Sequence, residues 1–175
     1  MYTLLLSILS IFTYTSYQSG LYAITFKDVK GNAVQLNSFQ GRRLIFTTFS
    51  GGKPELQQLK FLDSLQAANP SIKIFAIPAE EYAGAANIEQ LRNFQNIHCP
   101  RILMTEPMSV TKASGLNQHV LFKWLTDVNR NSHFDIDAEV GGQLFFVAPG
   151  AKLFSVLASG APTEIVGQSI LQSVN

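Results

Sequence analysis

The sequence predicts an α/β domain in which a central mixed β-sheet carries helices on both faces and follows an N-terminal β-hairpin. Three observations predict it. Leu44–Phe49 is β-branched and aromatic with no charge, the pattern of a strand covered on both faces. A leucine-rich helical stretch separates it from a second apolar run, Ile72–Ile77. Finally, Leu144–Val147 and Leu153–Leu157 meet through Pro149-Gly150, which joins them as a hairpin and leaves no room for a crossover helix.

Leu21–Phe26 and Ala33–Leu36 flank the turn Lys30-Gly31-Asn32 and read as the opening hairpin. Gly51-Gly52 ends the central strand, and Pro54 suits the first turn of a helix, where an N–H is dispensable. That helix turns Leu56, Leu59, Leu62 and Leu65 to one side and stops near Asn69-Pro70. Ile72–Ile77 is expected to end at Pro78. Asn87 caps the next helix, with Ile88, Leu91 and Phe94 inward and Gln90 at the capping-box position. Asn117–Leu125 is expected to be a short helix burying Val120, Leu121, Trp124 and Leu125. Thr163 caps a last helix from Glu164 to about Ser173, with Glu164 at its positive end. The order β-α-β-α, an insertion, then β-β-α is the thioredoxin-type arrangement. A flavodoxin-like sheet would need a helix between the last two strands.

Composition narrows the function classes. The chain has 175 residues, room for one domain, and 14% are charged against a usual share of about 25%. With 46% apolar residues as well, neither a disordered tail nor a coiled coil is expected. Thirteen Lys+Arg against 12 Asp+Glu leave a formal charge of +1 with no basic block, so no nucleic-acid partner is expected. The single cysteine, Cys99, excludes an intramolecular disulfide, a CxxC motif and a four-cysteine zinc site. Residues 1–19 read as a signal peptide ahead of a domain spanning 21–175. The run Leu4–Phe12 is apolar apart from two serines. As a helix its nine residues cover about 13.5 Å, too little for a bilayer core of about 30 Å, so no integral membrane span is expected. Export to the periplasm or medium is the expectation. A buried first strand in a cytoplasmic protein is the alternative, since the n-region has no Lys or Arg.

Chemistry is sought first in the loop Ser50-Gly51-Gly52-Lys53-Pro54, because N–H groups at a helix N-terminus stabilise anions and acidify thiols. Gly51 and Gly52 are therefore candidate ligand-binding residues, with a plain tight turn as the alternative. Lys53 precedes Pro54 instead of Ser or Thr, so the loop is not a phosphate-binding P-loop. His98 and Cys99 are adjacent, and neighbours on an extended segment point apart, so the pair is not expected to grip one metal. A buried, inert Cys99 is the expectation, and a metal site that draws on His119 and His133 is the alternative. Asp127 to Asp137 is spaced like a calcium loop at its first, third, fifth and ninth positions. Ser132 replaces the required glycine and Ala138 the last ligand, so a solvated Asn-rich loop explains it as well. Glu80-Glu81 is a candidate acid/base pair that exposed loop carboxylates would equally explain.

Several segments, in order, are similar to the glutathione peroxidase family over about nine-tenths of the chain. Tyr22–Leu36 resembles its opening hairpin, and Phe39-Gln40-Gly41-Arg42-Arg43-Leu44-Ile45 resembles its "(Y/F)KGKxLL" approach to the first core strand. Phe75-Ala76-Ile77-Pro78-Ala79-Glu80-Glu81-Tyr82-Ala83-Gly84 resembles "FP(C/A)NxFGG", and Asn117–Leu125 resembles the helix "HPLFKYL". The resemblance implies a thioredoxin-like fold, thiol-dependent hydroperoxide reduction, a thiol reductant as partner and no cofactor. It also locates departures. The peroxidatic cysteine or selenocysteine aligns with Gly52, its supporting Gln or Asn near Glu81, and the Trp-Asn pair with Glu139 to Gly142. A resolving cysteine would fall near Asn96, three residues before Cys99. The expectation is a scaffold inactive as a thiol peroxidase, with Cys99 as a weak substitute nucleophile. The competing expectation is a non-enzymatic module that binds a ligand or a protein partner through Gly51 and Gly52.

Overall fold

A computed structural model describes residues 20–52, 54–81, 87–139 and 141–171. The expected leader lies outside them, as does the expected helix end at Ser173. A two-stranded antiparallel hairpin, β1 (Thr25–Lys27) and β2 (Ala33–Gln35), precedes a five-stranded sheet. In chain order that sheet holds β3 (Arg43–Ser50), β4 (Ile72–Ala79), β5 (Leu103–Met104), β6 (Leu144–Val147) and β7 (Leu153–Leu157). Their spatial order is β5-β4-β3-β6-β7. β3, β4 and β5 run parallel, whereas β6 lies antiparallel to β3 and β7 antiparallel to β6.

Successive side chains of the sheet serve different layers, as a pleated strand requires. Leu44 and Phe46, Phe75 and Ile77, and Phe145 and Val147 pack with the hairpin and α3 (Val120–Leu125). Ile45, Ile74, Ala76 and Phe146 pack with α1 (Leu56–Ala68), α2 (Ile88–His98) and α5 (Thr163–Leu171). The hairpin is fastened by Phe26, whose ring meets Phe75 edge-on at 5.8 Å while Phe75 stacks on Phe46 at 5.0 Å. Among the described residues no helix is long and apolar enough to cross a membrane.

Four expectations shift. Strand β1 begins at Thr25 because Leu21 is spent on a turn in which its carbonyl accepts the Ile24 N–H at 3.1 Å. β4 runs through Pro78, which needs no N–H there: pairing with β3 continues to Ser50 opposite Ala79, and the Pro78 carbonyl accepts Met108 N–H at 2.9 Å. Helix α1 starts at Leu56, not in a turn opened by Pro54, because Glu55 at ψ 77° is not yet helical. α3 starts at Val120 instead of Asn117. Gly115 at φ +56° breaks a preceding 3-10 segment, Lys112–Asn117, and His119 becomes the cap by accepting Leu121 N–H on Nδ1 at 3.2 Å. This rotation leaves Val120 46% exposed and buries Phe122 fully in its stead. The Asn87 cap stands where expected, with its Oδ1 accepting from Glu89 N and Gln90 N.

Candidate functional site

The C-terminal ends of β3 and β4 lie side by side, and the loop after β3 leaves from this edge with Gly51 half-buried and Gly52 exposed. The segment before β6 closes over the same edge. Gly142 N–H donates to Thr48 O at 2.7 Å, Thr48 N–H to Gln143 O at 3.2 Å, and Thr48 Oγ1 to Glu139 O at 3.2 Å. Gly141 and Gly142 adopt φ of +54° and +91°, a conformation that L side chains rarely take. Their missing side chains leave space that other groups occupy. A Cβ on Gly141 would collide with a Glu55 carboxylate oxygen and stand 3.0 Å from its Cδ. One on Gly142 would collide with the Gln58 amide and approach Ser159 Oγ to 3.3 Å. Gln58 Nε2 donates to Gly142 O at 2.7 Å, Ser159 Oγ donates to Gly141 O, and one oxygen of Glu55 is buried.

The start of α1 thus carries a carboxylate of its own, folded against the backbone of residue 141. Sequence reasoning missed Glu55, Gln58 and Ser159. The signal available was the Gly141-Gly142 pair, since paired glycines mark a close approach by something else. Gly142→Ala is expected to lower unfolding stability by about 1–3 kcal/mol through the forced positive φ alone. Urea denaturation reads this, and an unchanged midpoint would contradict the packing described.

Glu80 and Glu81 do not form an acid/base pair. Glu81 Oε1 accepts from Val110 N at 2.7 Å, Thr111 N at 3.1 Å, Thr111 Oγ1 at 3.3 Å and Ser114 Oγ at 2.7 Å, while Glu80 Oε2 accepts from Ser109 Oγ at 2.8 Å. Both carboxylates fasten the 109–114 segment to the end of β4. Burial by itself would raise the Glu81 pKa, but the donors from Ser114, Thr111 and Val110 outweigh it and hold the carboxyl below the usual range. A group depressed in the fold contributes stability above the unfolded carboxyl value of about 4.3 and loses it as pH falls through the lower folded value. The melting-temperature gap between wild type and Glu81→Gln should therefore close on acidification below about pH 4.3. A gap that widens instead would overturn this assignment.

Cys99 is fully buried at the C-terminal cap of α2, with its thiol pKa pushed up to about 12 by burial and, secondarily, by the Asp63 carboxylate. Asp63 accepts Arg101 N–H at 2.7 Å, Ile102 N–H at 3.3 Å and an Arg101 guanidinium N–H at 2.7 Å. The Arg101 carbonyl is in turn approached by Lys73 Nζ at 3.4 Å, near the start of β4. Lys73 and Ala79 are six residues apart along that strand, about 20 Å at about 3.3 Å each, so Cys99 and the Gly52 loop sit at opposite ends of the sheet.

The histidines disperse as well. His98 packs on Phe94, His119 caps α3 and His133 is exposed. Burial, reinforced by Lys123 and opposed by Glu80, lowers the His119 pKa, as suits an imidazole that accepts on Nδ1. Among the described residues no group of three or more His, Cys, Asp or Glu is placed to hold a metal. The carboxylates of the stretch spaced like a calcium loop are engaged by protein groups instead of converging on one point. Asp127 caps α4 (Val128–Asn131), Asp137 accepts Lys112 N–H and its neighbour Ala138 N–H at 2.8 Å each, and Asp135 pairs with Lys112. Buried Asn131 donates to the carbonyls of Trp124, Leu125 and Phe134 and accepts from His133 N and Phe134 N.

No protein-family model and no curated protein matches the chain. Solved structures do. Trgpx in its apo form aligns at 15% identity and a TM-score of 0.64, covering 86% of this chain and 93% of its own. T. cruzi GPX1 aligns at 14% identity and the same TM-score, covering 86% and 94%. A secreted Mycobacterium tuberculosis disulfide oxidoreductase homologous to E. coli DsbE aligns at 14% identity and a TM-score of 0.56, covering 87% and 98%. At such identities the likeness is one of fold, and the chain has the thioredoxin-like fold: a mixed five-stranded sheet between helices, with a hairpin at its N-terminal side.

Proposed function

We propose that the chain is a catalytically degenerate member of the glutathione peroxidase family, a thiol-redox scaffold that has lost thiol peroxidase chemistry. One observation carries the reading: the sole thiol, Cys99, is fully buried with a pKa near 12, at the sheet end away from Gly52. Thiol-dependent peroxide reduction needs a thiolate that attacks the O–O bond and becomes a sulfenic acid, and a glycine offers no such atom. Fold likeness to Trgpx and T. cruzi GPX1, together with the ordered motifs, supports the family part. The test is hydroperoxide turnover with glutathione or thioredoxin as reductant, wild type beside Cys99→Ser. Turnover that Cys99→Ser abolishes would move the active site to Cys99 and overturn the reading.

A second reading, a non-enzymatic module binding a ligand or protein partner, is favoured by the Glu55 and Gln58 side chains that fill the space beside Gly141 and Gly142. The leader belongs to either reading as a proposal of export. Intact-mass analysis of the native protein should find roughly the first 15–20 residues removed, the usual signal-peptide scale. Full-length protein in the cytoplasm would refute export.

A further inference from the structure

We propose that the cleft between the Lys112–Asn117 segment, α3 and α4 binds an acidic α-amino acid, a small zwitterion bearing one ammonium and two carboxylates. The proposal goes beyond the reading above, because no residue of the Gly52 loop takes part. The cleft is open to solvent and has a volume of about 320 Å³, at the small end of the about 300–1,000 Å³ typical of ligand sites.

Gln118 identifies one half of the ligand. Its side chain is buried, 7% exposed, and lines the cleft. Its Nε2 donates to Val110 O at 3.0 Å and to Thr126 Oγ1 at 3.2 Å. Thr126 Oγ1 spends its own hydrogen on Phe122 O at 2.6 Å, so it accepts from Gln118 and cannot donate to it. Both neighbours therefore demand the NH₂ group, which settles the amide orientation and turns Oε1 away from them toward the cleft. Among the described residues none donates to that carbonyl oxygen, which stays accessible from the cleft and can accept from a charged donor there. The carboxylates of Asp127 and Asp135 also line the cleft and would share the same ammonium.

Lys112, Lys123 and Arg130 identify the other half. Lys112 pairs with Asp135, Arg130 Nε with Asp127 at 3.3 Å, and Lys123 Nζ donates to Leu116 O at 2.9 Å. A lysine has three donors and an arginine five, so each cation keeps N–H groups for an anion. Three cations against two carboxylates leave the lining one positive charge in excess. A ligand with one ammonium and two carboxylates supplies the complementary single negative charge. A neutral zwitterion leaves a cation unmatched, and a plain dicarboxylate leaves Gln118 Oε1 and the two aspartates facing like groups.

The experiment is titration of the full chain with L-glutamate, followed by backbone amide shifts in NMR. Saturable shifts centred on Lys112, Gln118 and Arg130 are expected, with affinity in the millimolar range. Glutarate, which lacks the ammonium, and L-alanine, which lacks the second carboxylate, should each bind at least about tenfold more weakly. Arg130→Gln and Lys112→Met, both at exposed side chains, should weaken L-glutamate by about tenfold while the melting temperature holds. Absence of saturable shifts overturns the proposal. So does glutarate binding as well as L-glutamate, which would reduce the cleft to a general anion patch, or undiminished binding by both variants.

Discussion

Cys99 in the folded protein is expected to resist alkylation at pH 7 by at least about a thousandfold relative to free cysteine. The magnitude follows from ionisation. With the pKa raised to about 12, about one thiol in 10⁵ is thiolate at pH 7, against about one in 30 for a thiol of pKa about 8.5. Burial adds a second barrier, since Cys99 is fully covered within the apolar layer that also holds Leu59, Leu62 and Leu91. The same two facts leave hydroperoxides without an attacking sulfur, so Cys99→Ser should not change their rate of loss. Iodoacetamide labelling followed by mass spectrometry reads the thiol directly, with urea-unfolded protein as the reactive control. Labelling of the folded protein within tenfold of the unfolded rate would show that Cys99 is accessible and ionised, against the packing described.

A thiol placed at residue 52 is not expected to be acidic. In a Cys99→Ser background, the Gly52→Cys thiol should titrate at or above about 8.5, the value of an unperturbed cysteine. The sequence alone suggests the opposite, because Pro54 placed at the first turn would bring helix N–H groups up to residue 52. The structure starts α1 at Leu56, four residues on, and helix-end effects fade within one turn. It also sets the Glu55 carboxylate at that helix start, packed against Gly141. A neighbouring carboxylate disfavours a thiolate just as it disfavours a second carboxylate. Adding Glu55→Gln should therefore lower the thiol pKa. Alkylation rate against pH measures both. A Gly52→Cys thiol near pKa 7, or one that Glu55→Gln leaves unmoved, would show that Glu55 does not govern the site.

Elements whose signals are local were legible in the chain itself. The charge-free run at Leu44–Phe49 became the central strand because alternate residues there meet an apolar layer on each face, a pattern that a six-residue window already displays. Asn87 was readable as a cap because its carboxamide bonds N–H groups only two and three residues ahead. That residue 52 itself offers no nucleophile was legible too, since a glycine has no side chain in any fold. Tertiary structure decided everything that joins distant residues. It laid Gln58 against Gly142, 84 positions away, and Asp63 against Arg101, 38 positions away. It also gave Gln118 a fixed amide orientation through Val110 and Thr126, eight residues to either side. Periodicity and capping report hydrogen bonds and burial within a turn or a strand. Whether a carboxylate fills the space beside a glycine depends on how two remote segments are brought together by a shared sheet, and no local pattern encodes that distance.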